Sequence, residues 1–129
     1  GFERLRAAGW TDRVPRLYGV QAKGAAPMVA DRHGPAAAAG DNSLADGIQI
    51  RDPARRSEIA EALDSTGGDV VAVDRETTAE THRRLGRRGL HVEPTCAVAP
   101  AGLDILRDRG AIGSEEDGVV PLTGHGLAT

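Results

Sequence analysis

A chain of 129 residues is long enough for one domain with a real hydrophobic core and too short for two ordinary ones, so residues 1–129 are read as a single domain. Sixteen Lys/Arg against nineteen Asp/Glu give a formal charge of -3, which offers no general attraction to nucleic acid or to an anionic membrane, and neither is expected as a partner. The lone Cys96 excludes an internal disulfide framework and a multi-cysteine zinc site, no stretch approaches the roughly 18 apolar residues of a membrane span, and Gly1 does not begin a signal peptide; a cytoplasmic location is expected.

In chain order, residues 2–9 read as the end of a helix stopped by Gly9. "RLYGVQA", Arg16 to Ala22, has a strand-like centre entered through Pro15. Ala25 to Arg32 reads as a short helix with Pro27 in its first turn, where the absent N–H is tolerated. His33 to Ser43, "HGPAAAAGDNS", carries the turn formers of a loop, and "GIQI" after it reads as a brief strand. Asp52 and Pro53 supply an N-cap and N1 pair for a helix to about Ser65, with Ile59, Ala62 and Leu63 on one face. "DVVAV", Asp69 to Val73, is apolar almost throughout, the pattern of a strand covered on both faces. Asp74 can cap a helix from Arg75 to Arg88 that Gly89 stops. Leu90 to Glu93 reads as a short strand, Thr95 as the cap of a helix to about Arg109, and Val119 to Leu122 as a last strand. Pro100 would lie inside that helix at a cost of about 3 kcal/mol, so a delayed start or a kink is expected. The alternation predicts parallel crossovers and a three-layer α/β sheet, with ligands beyond the carboxyl ends of its strands.

Two polar breaks fall at such ends: "EPTCA", Glu93 to Ala97, and "TGHG", Thr123 to Gly126. Read bottom-up, the second is either a glycine-rich turn or a ligand rim in which Thr123 offers a hydroxyl and Gly124 and Gly126 let a flat ligand approach. Glu93 is either an exposed strand-end acid or part of the same mouth. Cys96, beside Ala97, Val98 and Ala99, reads as a packed thiol rather than a nucleophile served by His91 or His125. The four histidines lack metal-ligand spacing, so no metal is expected. Gly67-Gly68 lacks a phosphate-binding fingerprint, and Lys23, the only lysine, reads as an exposed loop residue.

Taken together and in order, "PRLYGVQAKGAAP", "LADGIQI", "TGGDVVAVDRE", "RRLGRRGLHVEPTCAVAPAGL" and "VVPLTGHGL" resemble the C-terminal part of the catalytic domain of threonine synthase and its relatives, the fold type II, pyridoxal-phosphate-dependent enzymes with the tryptophan synthase beta-like fold. The resemblance implies a mostly parallel α/β sheet flanked by helices, with the cofactor between a large and a small domain, usually in a homodimer. It places Thr123 near the cofactor's pyridine nitrogen, with Gly124, His125 and Gly126 along the ring. It matches Glu93, Thr95 and Cys96 to a Glu-Pro-Thr/Ser-Ser-Ala segment in which Cys96 stands for the usual serine. Ala128 stands where a lysine is common. The family's cofactor-bearing lysine, its supporting asparagine and its glycine-rich phosphate cradle precede the part represented here, and Lys23 does not match that lysine's motif. The resemblance therefore implies a threonine synthase-like lyase of amino-acid metabolism in the complete enzyme, acting on an amino-acid substrate, while the isolated chain is expected to be inactive and not to hold the cofactor stably. Another fold type II lyase or dehydratase, and a non-catalytic α/β interaction module, are the competing readings.

Overall fold

The computed structural model describes residues 1–127; Ala128, and with it the lysine-to-alanine departure, lies outside the described residues. Its centre is a parallel pair of strands, β1 (Tyr18–Ala22) and β2 (Asp69–Val73), with Val20 opposite Val71 and Ala22 opposite Val73. Side chains alternate across a strand. Val70 and Ala72 accordingly join Met28, Val29 and Leu63 in one cluster, under helices α2 (Pro27–His33) and α4 (Arg56–Thr66). On the opposite face Val73 packs with Ala22, Val98 and Ala101, and Val71 with Leu106 and Ile112, beneath α6 (Val98–Asp108). The chain is thus α/β, a parallel sheet covered by helices on both faces, and the unbroken apolar run of β2 is what double coverage requires.

The remaining helices are α1 (Phe2–Ala7), α3 (Pro35–Ala38) and α5 (Arg75–Arg87). Several local signals act as expected. Pro27 opens α2, and the Asp74 side chain accepts the Thr77 amide to cap α5. Gly67 ends α4 in the left-handed conformation. Pro100 is the third residue of α6, in the first turn, where its missing N–H leaves no hydrogen bond unmade. The delayed start is made by a separate 3-10 turn, Pro94–Ala97.

Other expectations are corrected. "GIQI" is not a strand: Asp46–Ile48 forms a 3-10 turn, closed by the Ile48 amide on the Ala45 carbonyl and by the Gln49 side chain donating to the Asn42 and Ala45 carbonyls. Helix α4 starts at Arg56 with Arg55 at its N-cap, later than the Asp52-Pro53 pair suggests, and Ile59 points outward while Leu63 is buried. A short helix, α3, forms inside the expected loop. Leu90 to Glu93 contributes one antiparallel bridge, Val92 with His125, and Val119 to Leu122 pairs with no strand among the described residues. Apolar residues make a strand only where a neighbour supplies a hydrogen-bonded edge, and among the described residues β1 and β2 do so for each other. No helix of the described residues is long and apolar enough to cross a membrane.

Candidate functional site

Beyond the carboxyl ends of β1 and β2, the sequence-predicted residues converge from two segments distant in the chain. The 3-10 turn Pro94–Ala97 follows Glu93, which has extended backbone, and carries Thr95 and Cys96. The segment 123–126 runs antiparallel beside it. The Glu93 amide donates to the Gly124 carbonyl at 3.2 Å, the Gly126 amide donates to the His91 carbonyl at 3.1 Å, and the Val92–His125 bridge sits between. "TGHG" is therefore a segment bridged edge-on to "HVEPTC" at His125, with a turn beginning only at Gly126.

Cys96 is the knot of this arrangement. Its buried sulfur accepts the Gly124 amide at 2.9 Å, lies 3.9 Å from the Thr123 hydroxyl and 4.0 Å from Glu93 Oε1. These partners are an amide, a hydroxyl and a carboxylate. Neither His91 nor His125 is hydrogen-bonded to the sulfur; the two rings instead meet edge to face, 5.6 Å between centroids. The thiol is buried, as the packed reading has it; neither imidazole serves it, and the proton acceptor it faces is the Glu93 carboxylate at 4.0 Å.

The glycines have a nearer reason than ligand approach. A Cβ on Gly124 would overlap the Glu93 carboxylate, and one on Gly126 would come within 2.8 Å of the His91 ring. The space they leave is filled by this chain's own side chains. Thr95 does not cap α6, whose N-cap is Ala97; its hydroxyl donates to Asp46 Oδ1 at 3.3 Å and accepts the Gly47 amide at 3.4 Å. Thr123 and His125 are exposed, Glu93 and Thr95 half-buried.

Asp46 and Gly47, members of the site by contact, carried no chemical motif, and only their place in "LADGIQI" pointed toward them. Asn42 was also missed. It is 1% exposed and its amide donates to the Val73 carbonyl and to Thr78 Oγ1, tying the 39–50 segment to the end of β2. Its Oδ1 has no partner among the described residues. Lys23 is half-buried rather than an exposed loop residue: it follows β1 directly, its amide donates to the Val73 carbonyl, and its amine lies 4.0 Å from Asp74 Oδ2. Among the described residues no cluster could hold a metal ion. A groove of 610 Å³ between α2 and α4 lies apart from the site, and its charged groups are paired, Arg56 with Asp31 and Arg32 with Asp64.

As a donor set, the site offers an exposed hydroxyl and a half-buried carboxylate around a thiol, and no lysine or arginine bonds to any of them. That chemistry fits the ring-nitrogen end of a pyridine, to which a hydroxyl can donate or from which a carboxylate can accept, and does not fit a phosphate, which needs cations or a run of amides.

Comparison with known proteins bears on the family of the chain. A family model described as "Pyridoxal-phosphate dependent enzyme" matches residues 1–124. The chain is 35% identical to a threonine synthase of Methanosarcina acetivorans, over 97% of this chain and 32% of that protein. It is 34% identical to a threonine synthase of Methanocaldococcus jannaschii, over 98% of this chain and 33% of that protein, and 34% identical to one of Mycobacterium leprae, over 98% and 34%. The chain spans about a third of the length of these relatives.

Proposed function

Because the chain belongs to the pyridoxal-phosphate-dependent enzyme family, we propose that it forms the ring-nitrogen wall of the cofactor site in a threonine synthase-like lyase that converts O-phosphohomoserine and water to threonine and phosphate. The observation that carries this reading is that Thr123 Oγ1 and Glu93 Oε1 each lie within 4.0 Å of the Cys96 sulfur. The names of the relatives support the choice of reaction. When bound, pyridoxal phosphate supplies an electron sink for the amino-acid substrate. The residues of this chain would orient it: the Thr123 hydroxyl would hold the ring nitrogen, and the 123–126 segment, braced on His91 and Glu93, would set where that hydroxyl points. Glu93 would add a carboxylate at the same end of the ring. Asp46 and Thr95 hold the 46–48 turn closed over the strand ends. The phosphate and the aldehyde are held elsewhere in the enzyme. The complete enzyme works as a homodimer in the cytoplasm, a reading supported by the resemblance.

The test is a graft in which residues 1–124 replace the matched third of the Methanosarcina acetivorans threonine synthase. The chimera should release phosphate from O-phosphohomoserine, and Thr123→Val in it should lower turnover about tenfold, the scale of one lost hydrogen bond. A chimera that folds and retains the cofactor yet releases no phosphate would overturn the proposed reaction.

A further inference from the structure

We infer that Cys96 is a positioning residue: its sulfur fixes the Thr123 hydroxyl by holding the amide of the next residue, Gly124, and does not itself touch the cofactor. The inference rests on the ring-nitrogen reading above and deepens it. Three hydrogen bonds attach the 124–126 segment to the 91–96 segment. Two are backbone pairs, Glu93 N–H to the Gly124 carbonyl and Gly126 N–H to the His91 carbonyl. These fix the segment from Gly124 onward. The third, from the Gly124 amide to Cys96 Sγ at 2.9 Å, is the one that orients the peptide joining Thr123 to Gly124, because that amide belongs to that peptide plane. Upstream of it Thr123 is exposed and Val119 is 93% exposed, and residues 117–122 pair with no strand among the described residues. The same sulfur lies 3.9 Å from Thr123 Oγ1, so the group that holds the peptide also limits where the hydroxyl can turn.

A direct role for the thiol is disfavoured by its surroundings. Cys96 is 7% exposed, its sulfur is occupied by the Gly124 amide, and Glu93 Oε1 stands 4.0 Å away on another side. A ring reaching the exposed Thr123 hydroxyl meets Thr123 before it meets the sulfur. A serine in this place keeps an acceptor for the amide at shorter reach; an alanine removes it and leaves the Gly124 N–H without a partner.

Amide hydrogen exchange of the full 129-residue chain, read residue by residue by NMR without cofactor, tests this on Cys96→Ala and Cys96→Ser. Cys96→Ala should speed exchange at Gly124 about tenfold, the scale of one modest hydrogen bond, while Gly126 and the β2 amides keep their rates. Cys96→Ser should restore Gly124 protection. The cross-relaxation contact between the side chains of residues 96 and 123 should persist in the serine variant and vanish in the alanine variant. An unchanged Gly124 rate in Cys96→Ala, an acceleration shared equally by the β2 amides, or a serine variant that behaves like alanine would each overturn the positioning role. Since cofactor is absent from these measurements, their failure leaves the ring-nitrogen reading to the chimera experiment, and failure of the chimera leaves the tether to be judged here.

Discussion

Gly102 and Gly86 are both helical glycines, and the surroundings of each decide the sign of the same substitution. A Cβ on Gly102, in α6, would fall inside both methyls of Val20 on β1, and a β-branched strand residue has few rotamers to retreat into. Overpacking of this kind costs about 1–3 kcal/mol, more than the ~1 kcal/mol that alanine gains over glycine in a helix. Gly86, near the end of α5, has nothing within 4 Å of such a Cβ. We predict that Gly102→Ala lowers the urea midpoint and Gly86→Ala raises it slightly, by roughly 0.5 kcal/mol, with the denaturant slope unchanged in both. Equal effects in the two variants would show that helix propensity outweighs the close approach of α6 to β1. Gly124 differs from both, because its crowding neighbour is the Glu93 side chain, which can swing away. Gly124→Ala should cost little stability and displace the carboxylate from the site, seen as loss of the Glu93-to-Cys96 proximity by NMR. That Glu93, Cys96 and Thr123 are neighbours was legible first as two polar breaks at strand ends and then through the ordered phrases that resemble a family. Their geometry was not, because nothing in "TGHG" says that Glu93 and His91 fill the space its glycines leave.

Among the elements, α5 was the most readable, since its start, its cap and its stop are all local. The Asp74 carboxyl is held below its ordinary range chiefly by the Thr77 amide and hydroxyl, with burial opposing and the Lys23 charge and Glu76 amide assisting. A group whose pKa is depressed by folding adds stability that is present above its unfolded value, near 3.8, and lost as pH falls through the folded one. We predict that Asp74→Ala costs about 1 kcal/mol at pH 7, that Asp74→Asn costs much less, and that the gap between wild type and the alanine variant narrows as the pH is lowered from about 5 toward 2. Urea unfolding at pH 7 and pH 3 measures it; a gap of the same size at both values would mean that the charge of the cap contributes nothing. The misread elements are those whose state depends on distant residues. "GIQI" has strand-like composition, but its turn is closed from the side by Gln49 and tied down by Thr95, some fifty positions on. Leu90 to Glu93 and Val119 to Leu122 are apolar enough for strands and find no ladder among the described residues, and a sequence cannot show whether an edge will be there.

At the scale of the whole chain, apolar surface and missing charge point the same way. Helix α1 buries none of its residues, and Phe2, Leu5 and Trp10 stand exposed, Trp10 by 83%; with Tyr18 half-buried, two of the three aromatics contribute nothing to the core. The chain meanwhile spans about a third of its relatives' length. The proposed reaction needs a lysine to hold the cofactor's aldehyde and a cradle for phosphate, and the described site has neither: its hydrogen bonds run to an amide, a hydroxyl and carboxylates, while the single lysine is at the end of β1 beside Asp74. A hydroxyl at the ring nitrogen is one hydrogen bond, and one neutral hydrogen bond of about 1 kcal/mol cannot hold a small molecule against the several kcal/mol lost on immobilising it. We therefore predict that the purified 129-residue chain loses added pyridoxal phosphate on dialysis and releases phosphate from O-phosphohomoserine no faster than a protein-free blank. Retention measured by cofactor absorbance and release measured by a phosphate assay are independent of each other. Saturable phosphate release that follows the chain through two successive chromatographic separations would show that these residues alone build a working site, and would require Lys23 or another group of this chain to do what the proposed function assigns to other residues of the enzyme.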